Sequence, residues 1–390
     1  VGIAGTSRTM TPAEMEEELP PAFAALAATG VRLVHYKVCT TFDSAPGIGS
    51  IGTALQIGRR MFRTDFVPVV VGQPDVGRWC AFGMLFAAFG ADGAVYRLDR
   101  HPVMSRHPVT PMHEADLRLV LQSQGTVGVG LVDVAELEHG NGAAALQAVL
   151  RKSPDAVLFD VLAPRHQAEI GALIGARVEE DAQPLFAIGS SGLQQALLAG
   201  WPAAISRIRP LVSESPTALG PVLVVAGSRS KVTATQIETA AAEGFATLAL
   251  DPIAMVAGDP SEKLVAEAER HLRQGRSVVA HTSLGPEDAR ALPRARRADL
   301  DALSAATGRF ARDVMARVKL ARVGVIGGDT SGGVARALGV RALSYAWRCA
   351  PGVPVCRVRG GTLDGVEFMV KGGQMGAADV LLRLARAEQG

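Results

Sequence analysis

Apolar residues in this chain gather into strand-length runs separated by stretches of helical periodicity, and that alternation predicts an α/β protein. In the first half the runs are 31–38, 66–71, 126–131, 156–159 and 184–188. Around them, apolar positions recurring every three or four residues predict helices at 12–29, 141–152, 165–176 and 191–198, with another opening at 111. Such βαβ spacing implies parallel pairing. The stretch 207–220 carries Pro210 and Pro216 among Ser213, Glu214, Ser215 and Thr217, and it reads as a linker. The pattern then resumes, with strands at 222–226, 246–250, 277–281 and 322–326 and helices near 232–243, 261–274 and 298–320. After Leu338 it changes to short strands and turns, around 352–355 and 365–371, before a last helix. The expected fold is therefore α/β: two three-layer α/β domains with mainly parallel sheets and a cleft between them. Their expected bounds are residues 1–206 and 221–390, joined by the linker at 207–220.

Composition narrows the function more than the fold. At 390 residues the chain exceeds the usual size of one core, which supports the two-domain reading. Forty basic residues against 38 acidic ones leave a net charge of +2, with no long basic run and no aromatic interleaving, so no nucleic-acid partner is expected. The run 294–297 reads as a solvated helix start. No apolar stretch approaches the roughly 20 residues of a membrane span, and the opening residues lack the regions of a signal peptide. We therefore expect a cytoplasmic protein without a membrane partner. Cys39, Cys80, Cys349 and Cys356 form no CxxC pair and are expected as reduced packing residues. Val1 opens in what reads as the end of a strand, so upstream residues are expected to be missing. Composition leaves oligomeric state open, a homo-oligomer included.

The candidate chemistry clusters at predicted strand ends. After the 322–326 strand come Gly327, Gly328, Asp329, Thr330, Ser331, Gly332 and Gly333. Glycines here can take positive φ and let backbone N–H groups approach an oxyanion; Thr330 and Ser331 add hydroxyls, and a helix is expected from Val334. Asp329 could orient a metal or accept a proton. A plain strand-to-helix turn capped by Asp329 or Thr330 accounts for the same residues. Ser228 and Ser230, after the 222–226 strand, could bind phosphate, while Ser230 or Thr233 could equally be a helix cap. Lys371, Gly372, Gly373 and Gly376 place a cation beside flexible backbone. Neither a Walker P-loop nor GxGxxG occurs.

In the first half, Lys37, Asp43 and Ser44 lie at or beyond a strand end, before a glycine-rich approach to a helix. Lys37 could pair with a carboxylate and Asp43 with sugar hydroxyls; the other reading is a solvated loop with Asp43 forming a turn. Arg8 and the stretch 100–113, with His101, His107 and His113, add cations and hydroxyls. Prolines and the lack of HxH or HExxH spacing favour loop or anion contacts over zinc, and no metal ligand set is identified. Ser190 and Ser191 lack the GxSxG elbow and read as a helix-capping anion turn.

Taken in order, these motifs resemble the four-carbon acid sugar kinase family, which has an N-terminal sugar-binding domain and a C-terminal nucleotide-binding domain. The matching segments are Ser7-Arg8, Tyr36-Lys37 with its glycine turn, 107–112, 189–193, Gly227-Ser228 with Thr233 and Gln236, 327–332, 351–354, and Lys371-Gly372-Gly373 with Gly376. The resemblance implies that Ser228, Ser230, the turn 327–332 and the turn 371–376 hold ATP with Mg2+. It implies that Arg8, Lys37, Asp43, Ser44, His107, Ser190 and Ser191 face a small sugar acid, and that Asp329 is the base or the magnesium-orienting group. Two departures stand out. The family's opening strand and Asp-Asp-x-Thr-Gly-Ala turn are not found, so an alternative base is expected upstream of Val1. The 37–52 turn also lacks the arginine and asparagine of the commoner pattern, which makes a branched or oxidised acid such as 3-oxo-isoapionate as reasonable a substrate as threonate, erythronate or 3-oxo-tetronate. The implied activity is phosphorylation of a terminal hydroxyl. A nicotinamide-dependent oxidoreductase and a non-catalytic sugar-acid binder are the rival readings.

Overall fold

Runs such as Val67–Val70 and Leu223–Ala226 are buried on both faces, as strands are when helices cover both sides of a parallel sheet. The structure, a computed structural model, describes all residues except 90–92, 108, 127, 203–213, 217–219, 259–261 and 291–296, and the side chains of Arg297 and Asp329. The expected linker and the basic run at 294–297 fall largely on residues outside that description. The chain divides into two compact units, Val1–Arg209 and Pro210–Gly390.

The first unit runs α1 (Pro12–Ala27), β1 (Leu33–Lys37), α2 (Ile51–Phe62), β2 (Val67–Val70), β3 (Arg78–Ala81), β4 (Met84–Phe89), β5 (Ala94–Arg97), α3 (Leu117–Ser123), β6 (Val129–Val132), α4 (Val134–Glu138), α5 (Gly142–Leu150), β7 (Ala156–Phe159), α6 (Pro164–Glu180), β8 (Leu185–Gly189) and α7 (Ser191–Gly200). Its main sheet is wholly parallel in the order β1-β8-β2-β7-β6. One face packs Phe23 of α1 and Leu55 and Phe62 of α2 onto Phe186, with the Phe62 and Phe186 rings stacked at 5.5 Å. The other packs Ile170 of α6 and Leu193 of α7 onto Val70, Val157 and Ala187. Burying each such side chain contributes about 1.5–3 kcal/mol.

Strands β3, β4 and β5 form a separate antiparallel sheet that the apolar pattern did not predict. Met84–Phe89 is apolar throughout, so the period-2 burial of Leu85 and Ala87 is invisible in the letters. The helix expected from 111 begins instead at Leu117. Asp116 caps it by accepting the Arg118 N–H at 3.0 Å, and the cap fixes the start better than Pro111 does.

The second unit runs β9 (Leu223–Ala226), α8 (Lys231–Ala242), β10 (Ala246–Ala249), α9 (Pro252–Val256), α10 (Glu262–Arg273), β11 (Val278–His281), α11 (Arg297–Arg317), β12 (Arg322–Ile326), α12 (Gly328–Ala337), β13 (Ala342–Ala350), β14 (Val353–Arg359), β15 (Glu367–Lys371) and α13 (Val380–Arg386). One sheet carries the order β10-β11-β9-β12-β15-β14-β13; it is parallel from β10 to β15, and β14 and β13 add antiparallel strands. Ile237 of α8 and Val380 of α13 pack with Val224 on one face, while Val265, Phe310 and Val334 of α10, α11 and α12 pack with Val225 on the other. The helices that follow the neighbouring strands β9 and β12 thus leave on opposite faces. That reversal opens a crevice at the carboxyl ends of these two strands, the usual ligand position in an open α/β sheet.

Candidate active site

Three turns meet at that crevice. β9 ends into Gly227 and Ser228, β12 into Gly327, and β15 into Gly372 and Gly373. The ladder runs on past the strands, with the Gly227 N–H donating to the Ile326 carbonyl at 2.9 Å and the Gly327 N–H to the Lys371 carbonyl at 3.0 Å. A Cβ on Gly227 would lie 1.9 Å from Thr330 Oγ1, and one on Gly373 would lie 1.9 Å from Ser228 Oγ. Only glycine permits this approach of the three turns.

The 327–333 segment differs from its sequence reading. The helix does not wait for Val334: Gly327, at φ 115°, makes the whole turn, and α12 starts at Gly328. Ser331 closes the first turn, its N–H and its hydroxyl both donating to the Gly327 carbonyl, at 2.9 and 2.7 Å. Once one positive-φ residue turns the chain, the next ones gain a hydrogen bond each by entering the helix. Gly328, Asp329, Thr330, Ser331 and Gly332 therefore line the N-terminal end of α12, where N–H groups and the helix dipole favour an anion.

Ser230 caps α8, its hydroxyl accepting the Val232 N–H at 3.1 Å, and Ser228 Oγ accepts the Ser230 N–H at 3.2 Å. The capping alternative is what the structure shows for Ser230, while Ser228 faces the glycine turn. Thr233 and Gln236 clamp the 372–377 loop to α8. Thr233 Oγ1 donates to the Gly373 carbonyl at 2.7 Å, and Gln236 Nε2 lies 2.9–3.1 Å from the carbonyls of Met375, Gly376 and Ala377. Lys371 is buried at the end of β15, and burial pushes its ammonium down to about 8. Further along the same sheet edge, a cavity of about 600 Å³ is lined by Thr247, Ala249, His281, Leu284, Glu287, Asp288 and Arg290. His281 is held neutral there, pushed down to about 4 by burial and then by Arg290.

The first unit carries a different kind of site, built from side chains. Thr41 Oγ1 donates to Asp43 Oδ1 at 2.5 Å; Thr110 Oγ1 donates to Asp43 Oδ2 at 3.2 Å, and Arg8 donates to the same oxygen. His107 Nδ1 accepts the Thr110 N–H at 3.1 Å. Burial opposes charge on Asp43, but Arg8, Thr41 and His107 outweigh it and hold the carboxyl below its usual range. Ser44 Oγ accepts from Gln124 Nε2 at 2.8 Å, while Gln124 Oε1 accepts the Gly52 N–H at 2.9 Å. Lys37 is exposed at the end of β1 and pairs in register with Gly189, which sets it beside the Ser190-Ser191 turn. Ser190 is fully buried; its hydroxyl donates to the Val71 carbonyl at 2.7 Å and accepts the Gly192 N–H at 2.9 Å.

Comparison with known proteins assigns the two units to one family. Residues 1–197 match a sugar-binding N-terminal domain and residues 223–381 a nucleotide-binding C-terminal domain. A 3-oxo-isoapionate kinase of Paraburkholderia graminis is 43% identical over 97% of this chain and 83% of its own length. A 3-oxo-tetronate kinase of Methylobacterium radiotolerans is 34% identical over 91% of this chain and 81% of its own. The chain belongs to the four-carbon acid sugar kinase family. Its class is that of an ATP-dependent sugar-acid kinase, which sets aside the oxidoreductase and binding-module readings. Among solved structures, a Salmonella typhimurium LT2 protein described as a putative tRNA synthase has a TM-score of 0.77 at 23% identity, covering 98% of this chain and 88% of that one. This likeness shows the fold.

Within this kinase, the structure gathers Arg8, Asp43 and His107 into one network, ties Ser44 to Gln124 instead, sets Lys37 beside Ser191, and gathers Ser228, Thr330, Lys371 and Gly373 at the crevice. Ser190 and Ser230 spend their hydroxyls on helix caps. His101 Nδ1 accepts the Val103 and Met104 N–H groups, so this histidine builds its own loop. Among the described residues, no three His, Cys, Asp or Glu side chains cluster to hold a metal, and no helix is long and apolar enough to cross a membrane. Sequence reasoning passed over Thr41, which a reading of polar residues flanking Asp43 could have flagged, and Gln124, which reaches Ser44 from 80 residues away and carries no such local signal. It also passed over Asp160, at the end of β7. Burial raises its carboxyl, and it accepts the N–H groups of Phe82, of Gly83 at 3.0 Å and of Val134 at 3.0 Å, tying the β3–β4 turn and α4 to the main sheet.

Proposed function

We propose that this enzyme transfers the γ-phosphoryl group of ATP to the terminal hydroxyl of a short 3-oxo or branched sugar acid, of the 3-oxo-isoapionate or 3-oxo-tetronate type. The observation that carries the substrate class is the 43% identity, across 97% of the chain, to a 3-oxo-isoapionate kinase. The acid is assigned to residues 1–206, ATP to residues 221–390 and the linking role to 207–220. Phosphoryl transfer is mostly positioning and charge neutralisation. The meeting of Gly227, Gly327 and Gly373 at the start of α12 supplies N–H groups for phosphate oxygens, with Thr330, Ser228 and Lys371 beside them. The cavity beside His281 offers room for the nucleoside.

Magnesium takes one or two carboxylates together with substrate phosphates and water. Asp329, in the first turn of α12, is the carboxylate assigned to it or to the acceptor proton, and the hydroxyl-rich helix start fits a metal–phosphate group. Bound there, the ion would neutralise charge on the phosphates. Use of ATP fits a cytoplasmic location. The test is a coupled ADP-release assay across tetronates, 3-oxo-tetronates and 3-oxo-isoapionate. Turnover should be highest with a 3-oxo acid; turnover confined to non-oxo tetronates would overturn the assignment.

A further inference from the structure

The two faces of the small β3–β4–β5 sheet differ in their surroundings. In its register Cys80 stands opposite Leu85, and Ala87 opposite Tyr96. Cys80, Leu85 and Ala87 point to one face and are fully buried in the first unit's core. The sheet is fastened there, the Cys80 N–H donating to the Val161 carbonyl at 3.0 Å and the Val161 N–H to the Cys80 carbonyl at 2.9 Å. By the period-2 alternation of a strand, Trp79, Ala81, Phe86, Ala88 and Val95 point the other way. None of these five is buried, and Val95 is 54% exposed.

This outer face is continuous and electrically neutral. Trp79, Phe86 and Arg97 form one cross-strand row, and Ala88 and Val95 the next. A Cβ on Gly77 would lie 2.8 Å from Ala88 Cβ and 3.7 Å from Trp79 Cη2, so the indole spreads across that end. Arg97 is the one charge these strands place on the face. Asp99 neutralises it in a bidentate pair, accepting from Arg97 Nε at 2.7 Å and from Nη2 at 2.6 Å. The strands therefore offer nothing to a charged partner such as a nucleic acid or an anionic membrane, and covering them leaves no charge unpaired. A second, identical face meets both conditions.

The tip of the hairpin gives an independent sign of contact. Phe82 and Gly83 make the two-residue turn between β3 and β4 with φ of 52° and 83°, a turn that Asn-Gly forms most readily. A phenylalanine there holds strained backbone, and it is 58% exposed. The carboxylate of Asp160 accepts the N–H groups of both turn residues, so the ring stands on a fixed base and loses little freedom on docking. Three strands about 4.8 Å apart, the longest about 20 Å, present with their rim on the order of 500 Å2. Two such faces bury about 1,000 Å2, the low end for a specific interface, where association is reversible.

We propose that this face is a homodimer contact: the β3–β4–β5 sheets of two copies stack outer face to outer face, about 10 Å apart, with Phe82 of each copy at the rim. A two-fold axis makes the contact closed, so it ends at the dimer. Its dissociation constant lies in the range of about 1–100 µM.

The test is sedimentation velocity on the full-length protein between about 1 and 200 µM, a range that spans the expected dissociation constant. The wild type should pass from monomer to dimer as concentration rises. Val95→Asp, which puts a charge into the contact, and Phe82→Asn, which removes the aromatic anchor, should each weaken the dimer at least about tenfold. Ile253→Asp, at an apolar residue of the second unit that is 56% exposed, should dimerise like the wild type. Thermal unfolding at the lowest concentration separates contact from folding: Val95→Asp should keep the wild-type Tm, and Phe82→Asn should raise it, because Asn suits the turn. A wild type that stays monomeric at the highest concentration overturns the proposal, and protection of the sheet's amides from exchange in that monomer would assign the face to another segment of the same chain. A dimer that either Val95→Asp or Phe82→Asn leaves at wild-type strength overturns it as well.

Discussion

The two candidate sites of this kinase are built for an anionic ligand in different ways, on the function proposed above. At the crevice of the second unit, the candidate site is largely backbone: glycine turns brought together by strand order, with Thr330, Ser228 and Lys371 beside them. In the first unit the site is a side-chain network in which Arg8, Thr41, Asp43, His107 and Thr110 hold one another across long sequence separations. A backbone cradle is rigid and insensitive to which phosphate enters, and it suits a common cosubstrate. A side-chain network can be retuned by one substitution, and it suits the ligand on which relatives differ.

The contrast predicts that the nucleotide side fails by losing backbone geometry. β12 and β15, which carry two of the three turns, are tied by a buried ion pair: Arg322 Nε donates to Glu367 Oε2 at 2.6 Å, and Arg322 Nη1 donates to the Leu384 carbonyl at 2.8 Å. Both side chains are buried, and the guanidinium lies over the Trp347 ring at 5.3 Å. Glu367→Ala should cost about 3–5 kcal/mol of stability, because it leaves a buried cation uncompensated. Hydrogen exchange would localise the loss to the second unit's sheet, and equal loss in β1, β2 and β8 would break the comparison.

Next in size, Gly373→Ala should lower kcat/KM for ATP by roughly 100-fold or more, with calorimetric binding of the sugar acid unchanged. Ser228→Gly in the same background should restore part of the activity, since Ser228 is what the new Cβ strikes. No recovery would point to a backbone cause other than that contact.

Lys371 sharpens the comparison through pH. Burial lowers its pKa to about 8, against 10.5 for an ordinary lysine. Between those values the unfolded chain holds a proton that the folded one lacks, so stability rises with pH through that window and the charged lysine costs stability below it. Lys371→Met should therefore raise Tm at pH 7 while raising KM for ATP about tenfold. In the wild type KM for ATP should climb above pH 8, and in the variant that limb should be absent. A Tm that falls in the variant would show that Lys371 is part of the packing.

The smallest effect belongs to the loop clamp. Thr233→Val removes one hydrogen bond to the Gly373 carbonyl and should weaken ATP binding only a few-fold, about 1 kcal/mol, as measured by KM for ATP with KM for the acid unmoved.

Much of this is legible in the sequence. The strands β1, β2, β7, β8, β9, β11 and β12 announce themselves as short apolar runs, because a parallel sheet buried on both faces needs them. The glycines of the crevice stood out because so few residues tolerate close backbone approach. The β3–β4–β5 sheet was not legible: a uniformly apolar strand hides its own alternation. Nor was the start of α12, since the letters of 327–333 do not say how many of four glycines take positive φ, and the fold uses Gly327 to turn the chain. Asp43 drew attention by type, but its hydrogen bonds come from Thr41 and from Thr110, the latter 67 residues away.

Sequence alone determined the α/β class, the two units' alternating elements and the family likeness, because hydrophobic periodicity and glycine placement are local properties of the chain. Tertiary structure decided which residues meet. It set Gly227 against Thr330, put Ser190 and Ser230 to work as caps, and buried Asp43 behind an exposed Arg8. The physical reason is that hydrogen-bond saturation and solvent exposure depend on neighbours distant in the chain, and the order of strands in the sheet is what brings them together.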